Sequence, residues 1–101
     1  MSMTGKARAE LRAEAHHLDV LVHVGHAGLT PAVLKCLDDV LRTRELVKAQ
    51  VAKGGELSAR DAANKAAAAL KAEVIQVIGR TFTLFRENPE LKRGALPPWR
   101  T

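Results

Sequence analysis

The residues best suited to chemistry lie just after Val24, where the chain reads Gly25-His26-Ala27-Gly28-Leu29-Thr30-Pro31. Two glycines three apart remove Cβ atoms, so another backbone can approach the main chain closely. Thr30 followed by Pro31 is a strong helix start. The first amides of such a helix are unpaired donors at its positive end. A strand end, a G-x-x-G turn and a capped helix together suit a phosphate. The same four residues also fit a plain tight turn.

Other reactive residues form no constellation. His16, His17, His23, His26 and Cys36 lack the paired spacing of a metal site. Cys36 has no base at motif spacing and reads as a small, semi-buried side chain. Asp38 and Asp39 are neighbours on a helix, point about 100° apart and read as solvated. No G-x-x-x-x-G-K loop occurs. The expectation is a protein with no catalytic residues, no metal and no cofactor.

The elements that position the glycine turn follow from periodicity. A helix is expected from Thr4, its cap, to His17, with Ala7, Leu11, Ala15 and Leu18 as a narrow apolar stripe. Arg8, Arg12 and His16 form a second stripe beside it. Val20–Val24 reads as a strand that is apolar on both faces. A helix runs from Pro31 to about Arg44, with Val33, Leu37, Val40 and Leu41 inward and Lys35, Asp38 and Arg42 outward. Residues 46–52 alternate as a strand with one wet face. Gly54-Gly55 ends it. Ser58 and Asp61 resemble a capping box that opens an alanine-rich helix to about Lys71, thin enough to lie close to a sheet. Val74–Ile78 and Thr81–Arg86 are strands joined by a tight Gly79-Arg80 hairpin. Phe82 and Leu84 read as core, and Phe85 points the other way, packed beneath a helix in the favoured reading or free to stack on a base in the alternative. From Asn88 the chain is charged and proline-containing, with Trp99, and reads as a loosely ordered tail. The order α-β-α-β-α-β-β describes an α/β sandwich with a four-stranded mixed sheet.

Composition agrees with one domain: 101 residues, 47% of them hydrophobic, hold one core and no internal chamber. Sixteen Lys and Arg against eleven Asp and Glu give a net charge of +5, which favours a polyanion as partner. The segment from Arg80 onward contributes +3 of this through Arg80, Arg86, Lys92, Arg93 and Arg100. One cysteine excludes an internal disulfide and fits a reducing compartment. The opening residues lack an apolar run, so no signal peptide, no membrane span and a cytoplasmic location are expected.

The stretch Leu11–Thr30 (LRAEAHHLDVLVHVGHAGLT) resembles the bacterial single-domain form of the CRM family, the YhbY-type RNA-binding proteins of ribosome maturation. The resemblance continues through Glu45-Leu46-Val47-Lys48, Val77-Ile78-Gly79-Arg80-Thr81 and Leu84-Phe85-Arg86. It covers residues 1–88, leaving 89–101 as a basic tail. It implies a two-layer fold similar to the C-terminal domain of the third bacterial translation initiation factor. It also implies binding to ribosomal RNA of large-subunit precursors, with a loop like the G-x-x-G loop of KH-type RNA binders; a monomer is expected, though the sequence does not fix the oligomeric state. Carried over by position, Gly25, His26, Ala27, Gly28 and Thr30 form the loop, and Arg8, Arg12, Lys48, Arg80 and Arg86 are basic positions of the motifs. Two residues depart from the pattern. His26-Ala27 stands where a Lys or Arg is common, and Asp19 places an acid near the strand entrance. The alternative is a protein-binding adaptor on ribosomes or their assembly factors.

Overall fold

The computed structural model describes residues 5–55 and 57–87. Its elements are α1 (Gly5–Ala15), β1 (Val22–Val24), α2 (Pro31–Arg44), β2 (Leu46–Val51), α3 (Ala59–Leu70), β3 (Glu73–Ile78) and β4 (Thr81–Phe85). Thr4, expected to cap α1, and the tail bearing Trp99 lie outside the described residues.

The strands form one mixed sheet in the order β1-β2-β4-β3. A helical crossover makes β1 and β2 parallel, whereas β4 is antiparallel to both of its neighbours. Side chains alternate across each strand, so Val47, Ala49 and Val51 of β2 and Phe82 and Leu84 of β4 share one face. α2 and α3 cover that face. α2 contributes Leu37 and Leu41, and α3 contributes Ala59, Ala62, Ala63 and Ala66, so the alanine-rich helix is buried against the sheet as its thinness allows. In β3, both Val74 and Val77 face this core although they are three positions apart. The ladder absorbs the extra residue as an irregularity between Val74 and Gln76, opposite Leu84 and Thr83.

The other face is covered over half its length. α1 lays Leu11 on Leu46 and Ile75, with Leu18 and Phe85 packed against them. Phe85 is therefore packed beneath a helix, as expected. β1 is shorter than its apolar sequence suggests: Val22 and Val24 are buried, but His23 is exposed and Leu21 is 47% exposed. The reason is that α1 covers the starts of β2 and β3 and not β1.

Two side chains differ from their expected environments. Cys36 is exposed, not semi-buried. Asp38, read as solvated, is half-buried and accepts a 2.8 Å bond from Arg86 Nη1. The same guanidinium donates to Leu70 O at 3.0 Å and to Asp38 O at 3.3 Å. Arg86 thus ties the end of β4 to α2 and to a terminal carbonyl of α3. Glu45 alone joins α2 to β2. It adopts a left-handed φ of 65°, donates its N–H to Leu41 O at 2.9 Å and accepts from Arg86 N at 2.9 Å.

Candidate nucleic-acid interface

Strand directions bring three turns to one end of the sheet. β1 and β2 both finish there, and the β3–β4 hairpin turns there. The turn after β1 closes through a Gly28 N–H to Gly25 O bond of 3.0 Å, and Thr30 N–H donates to Gly28 O at 3.0 Å. Thr30 Oγ1 then accepts from Val33 N at 3.2 Å, the capping bond anticipated from the Thr-Pro pair.

The two glycines are not equivalent. Gly28 is buried with φ +79°, and a Cβ there would lie 3.6 Å from Leu57 Cδ1. The turn itself requires that glycine. Gly25 is exposed, and a Cβ there would meet nothing within 4 Å. Neither the fold nor its packing restricts side-chain size at Gly25. His26 and Ala27 between them are also exposed.

The turn after β2 lies directly against this loop. Ala52 N–H donates to Val24 O at 2.8 Å, and a Cβ on Gly55 would sit 3.7 Å from His26 Cα and 3.9 Å from Gly25 O. Only a residue without a bulky side chain lets the two loops approach so closely. On the other side, Val51 N–H donates to Arg80 O at 2.8 Å. Gly79, with φ +58°, supplies the first position of that two-residue hairpin.

This end of the sheet carries exposed cations: Lys53, Arg60 at the start of α3, and Arg80. None of the three has a carboxylate partner among the described residues. The observed ion pairs lie towards the opposite end. They include Arg8–Glu73 at 2.7 Å, Arg86–Asp38 at 2.8 Å and Arg42–Asp39 at 2.9 Å. The acidic partners gather at the opposite end, where Arg44 and Lys71 are also without ion pairs among the described residues, and the three loop-end cations attract an anion.

The residues carried over from the family pattern divide accordingly. Gly25, His26, Ala27, Gly28, Thr30 and Arg80 come together at the loop end. Lys48 lies mid-sheet, its Nζ 3.5 Å from Ala15 O at the end of α1. Arg12 is exposed on α1, over the half of the sheet away from the loops. Arg8 pins α1 to the sheet edge by donating to Glu73 Oε2 and, at 2.9 Å, to Val74 O. Arg86 holds α2 and α3 as described. Lys53, Gly55 and Arg60 were not anticipated. Their only sequence signal is a Lys-Gly-Gly turn between a strand and a capped helix, which by itself reads as a strand terminator.

This geometry defines an α/β domain with two glycine turns and unpaired cations at one end of a mixed sheet. The chain belongs to the CRS1/YhbY (CRM) domain family, whose model matches residues 3–86. It is 34% identical over 95 residues to Probable RNA-binding protein YqeI of Bacillus subtilis, covering 94% of this chain and 99% of that one. It is 32% identical over 91 residues to a Haemophilus influenzae protein named RNA-binding protein, covering 90% and 92%. The solution structure of the hypothetical protein SAV1595 from Staphylococcus aureus superposes with a TM-score of 0.68 at 33% identity, covering 95% of this chain and all of that one. These relatives are named for RNA binding and not as enzymes.

Proposed function

We propose that this protein binds RNA, and specifically that it is a ribosomal-RNA-binding factor in assembly of the large ribosomal subunit, acting in the cytoplasm. The Gly25–Gly28 turn holds a backbone phosphate at the start of α2. Lys53 and Arg80, on the two neighbouring turns, supply permanent counter-charge that the His26-Ala27 interior lacks. The observation that carries this reading is Gly25: an exposed glycine that the chain's own packing does not require, at the same end of the sheet as cations without ion pairs among the described residues. RNA as partner is supported by the names of the relatives. The ribosomal assignment rests on the resemblance to ribosome-maturation proteins. Arg12 and Lys48 add weaker, more distant charge, while Arg8 and Arg86 serve the fold.

The test is co-sedimentation of the protein with ribosomal particles at graded salt, with crosslinked peptides mapped. The proposal expects salt-sensitive association with large-subunit precursors and crosslinks at residues 25–30 and at Lys53. Salt-insensitive association without RNA crosslinks would replace it with the adaptor reading.

A further inference from the structure

Among the described residues, no helix covers the sheet face opposite α2 and α3 on the half nearer the loops, although Thr83 of β4 on that face is buried. Register places His23, Gln50, Thr81 and Ile78 in one row across all four strands beside the loop end. Behind them lie Leu21, whose N–H bonds Lys48 O, then Lys48 itself and Gln76. Their neighbours along each strand, such as Val22, Val51 and Val77, point into the main core.

Three properties of this half-face point to one kind of ligand. First, among the described residues it carries no acidic side chain, and Arg80 and Lys53 stand at its rim. Second, the exposed large hydrophobic side chains among the described residues, Leu21 at 47% and Ile78 at 53%, both lie on it, one on each outer flank. Such side chains scattered singly mean little, but two framing one polar strip define a surface. Third, the half-buried carboxamides of Gln50 and Gln76 make no hydrogen bond within the described residues. They are donors and acceptors held on rigid strands without a partner. Among the described residues no aromatic ring lies on the strip, since Phe82 is in the core and Phe85 beneath α1. Recognition would therefore run through hydrogen bonds and aliphatic contact, without ring stacking.

We propose that this half-face is a second binding surface, for a short single-stranded RNA segment whose backbone leaves the Gly25–Gly28 clamp past Lys53 and Arg80. Three strand spacings of about 4.8 Å give a strip roughly 14 Å wide, enough for two or three unstacked nucleotides. Bases rest on Leu21 and Ile78, and Gln50 and Gln76 bond to their Watson–Crick edges. A duplex keeps its bases stacked and those edges paired, so it engages the clamp and not the strip. The inference rests on the RNA reading above but concerns a different set of residues.

Titrations of the full chain with a short single-stranded RNA and with the duplex of the same sequence test it. The double variant Gln50→Ala/Gln76→Ala, and separately Leu21→Ser/Ile78→Ser, should each weaken the single strand about five- to tenfold, leaving duplex affinity and salt slope unchanged. All four side chains lie outside the main core, and circular dichroism with thermal melts verifies that the variants fold. Zero-length crosslinks from the wild type to residues 73–85 provide an independent readout. Gly25→Asp should weaken both RNAs. If it does while the strip variants bind like wild type and no such crosslinks form, the strip is not an RNA surface and only the clamp stands. An equal loss for duplex and single strand in the strip variants also overturns the proposal. If Gly25→Asp changes nothing while the strip variants lose single-stranded RNA, the clamp is wrong and the strip remains.

Discussion

The clearest contrast at the scale of single residues is between the two glycines of one turn. Gly28 serves the fold through its left-handed backbone, at a place where a Cβ would lie 3.6 Å from Leu57 Cδ1. Gly28→Ala should therefore cost about 1–2 kcal/mol in denaturant unfolding. Gly25 has room for a side chain, so Gly25→Asp should leave stability near wild type while reducing RNA affinity about tenfold or more, measured by titration at fixed salt. Normal affinity in a folded Gly25→Asp protein would reduce the motif to a turn. His26 is exposed between the two glycines, so His26→Lys, which places a permanent cation there, should raise RNA affinity about threefold or more in the same titration, and unchanged affinity would place His26 away from the phosphate.

Elements were legible where local chemistry decides them. α2 begins at Pro31 because Thr30 caps it, and α3 begins after Ser58, whose Oγ accepts from Asp61 N at 3.1 Å. The hairpin followed from Gly79-Arg80. What local patterns could not show was pairing at a distance. The irregularity in β3 arises from its partner β4, the short β1 from where α1 lies, and the tight α2–β2 junction from Glu45 and Arg86. A family-motif arginine reads as an RNA contact until Asp38 and Leu70 O are seen to hold it. Arg86→Ala should consequently destabilise the domain by about 1–2 kcal/mol, discounted for the partial exposure of Asp38, and should leave the RNA affinity of the folded protein unchanged. Thermal unfolding beside RNA titration separates the two effects. A stable variant with weakened binding would return Arg86 to the RNA surface.

For the molecule as a whole, the organising feature is the set of cations that the turns gather at one end of the sheet. Composition announced a basic protein but could not locate this set, because Lys53 and Arg80 sit on turns far apart in sequence. Lys53 gains its place through the neighbouring bond from Ala52 N–H to Val24 O, and Arg80 through its bond to Val51. The glycine turn and its cap could be read from the sequence, whereas the surrounding cations emerged only from the assembled topology. The most direct test of the clamp is the slope of log affinity against log salt for one RNA, compared between Lys53→Ala, Arg80→Ala and the remote Arg44→Ala. Each phosphate contact contributes roughly 0.7–0.9 to that slope. Lys53→Ala and Arg80→Ala should each flatten it by about one contact, with Arg44→Ala matching wild type. A loss of slope in Arg44→Ala, with the two loop-end variants unchanged, would place the RNA on the opposite end of the domain and contradict the account.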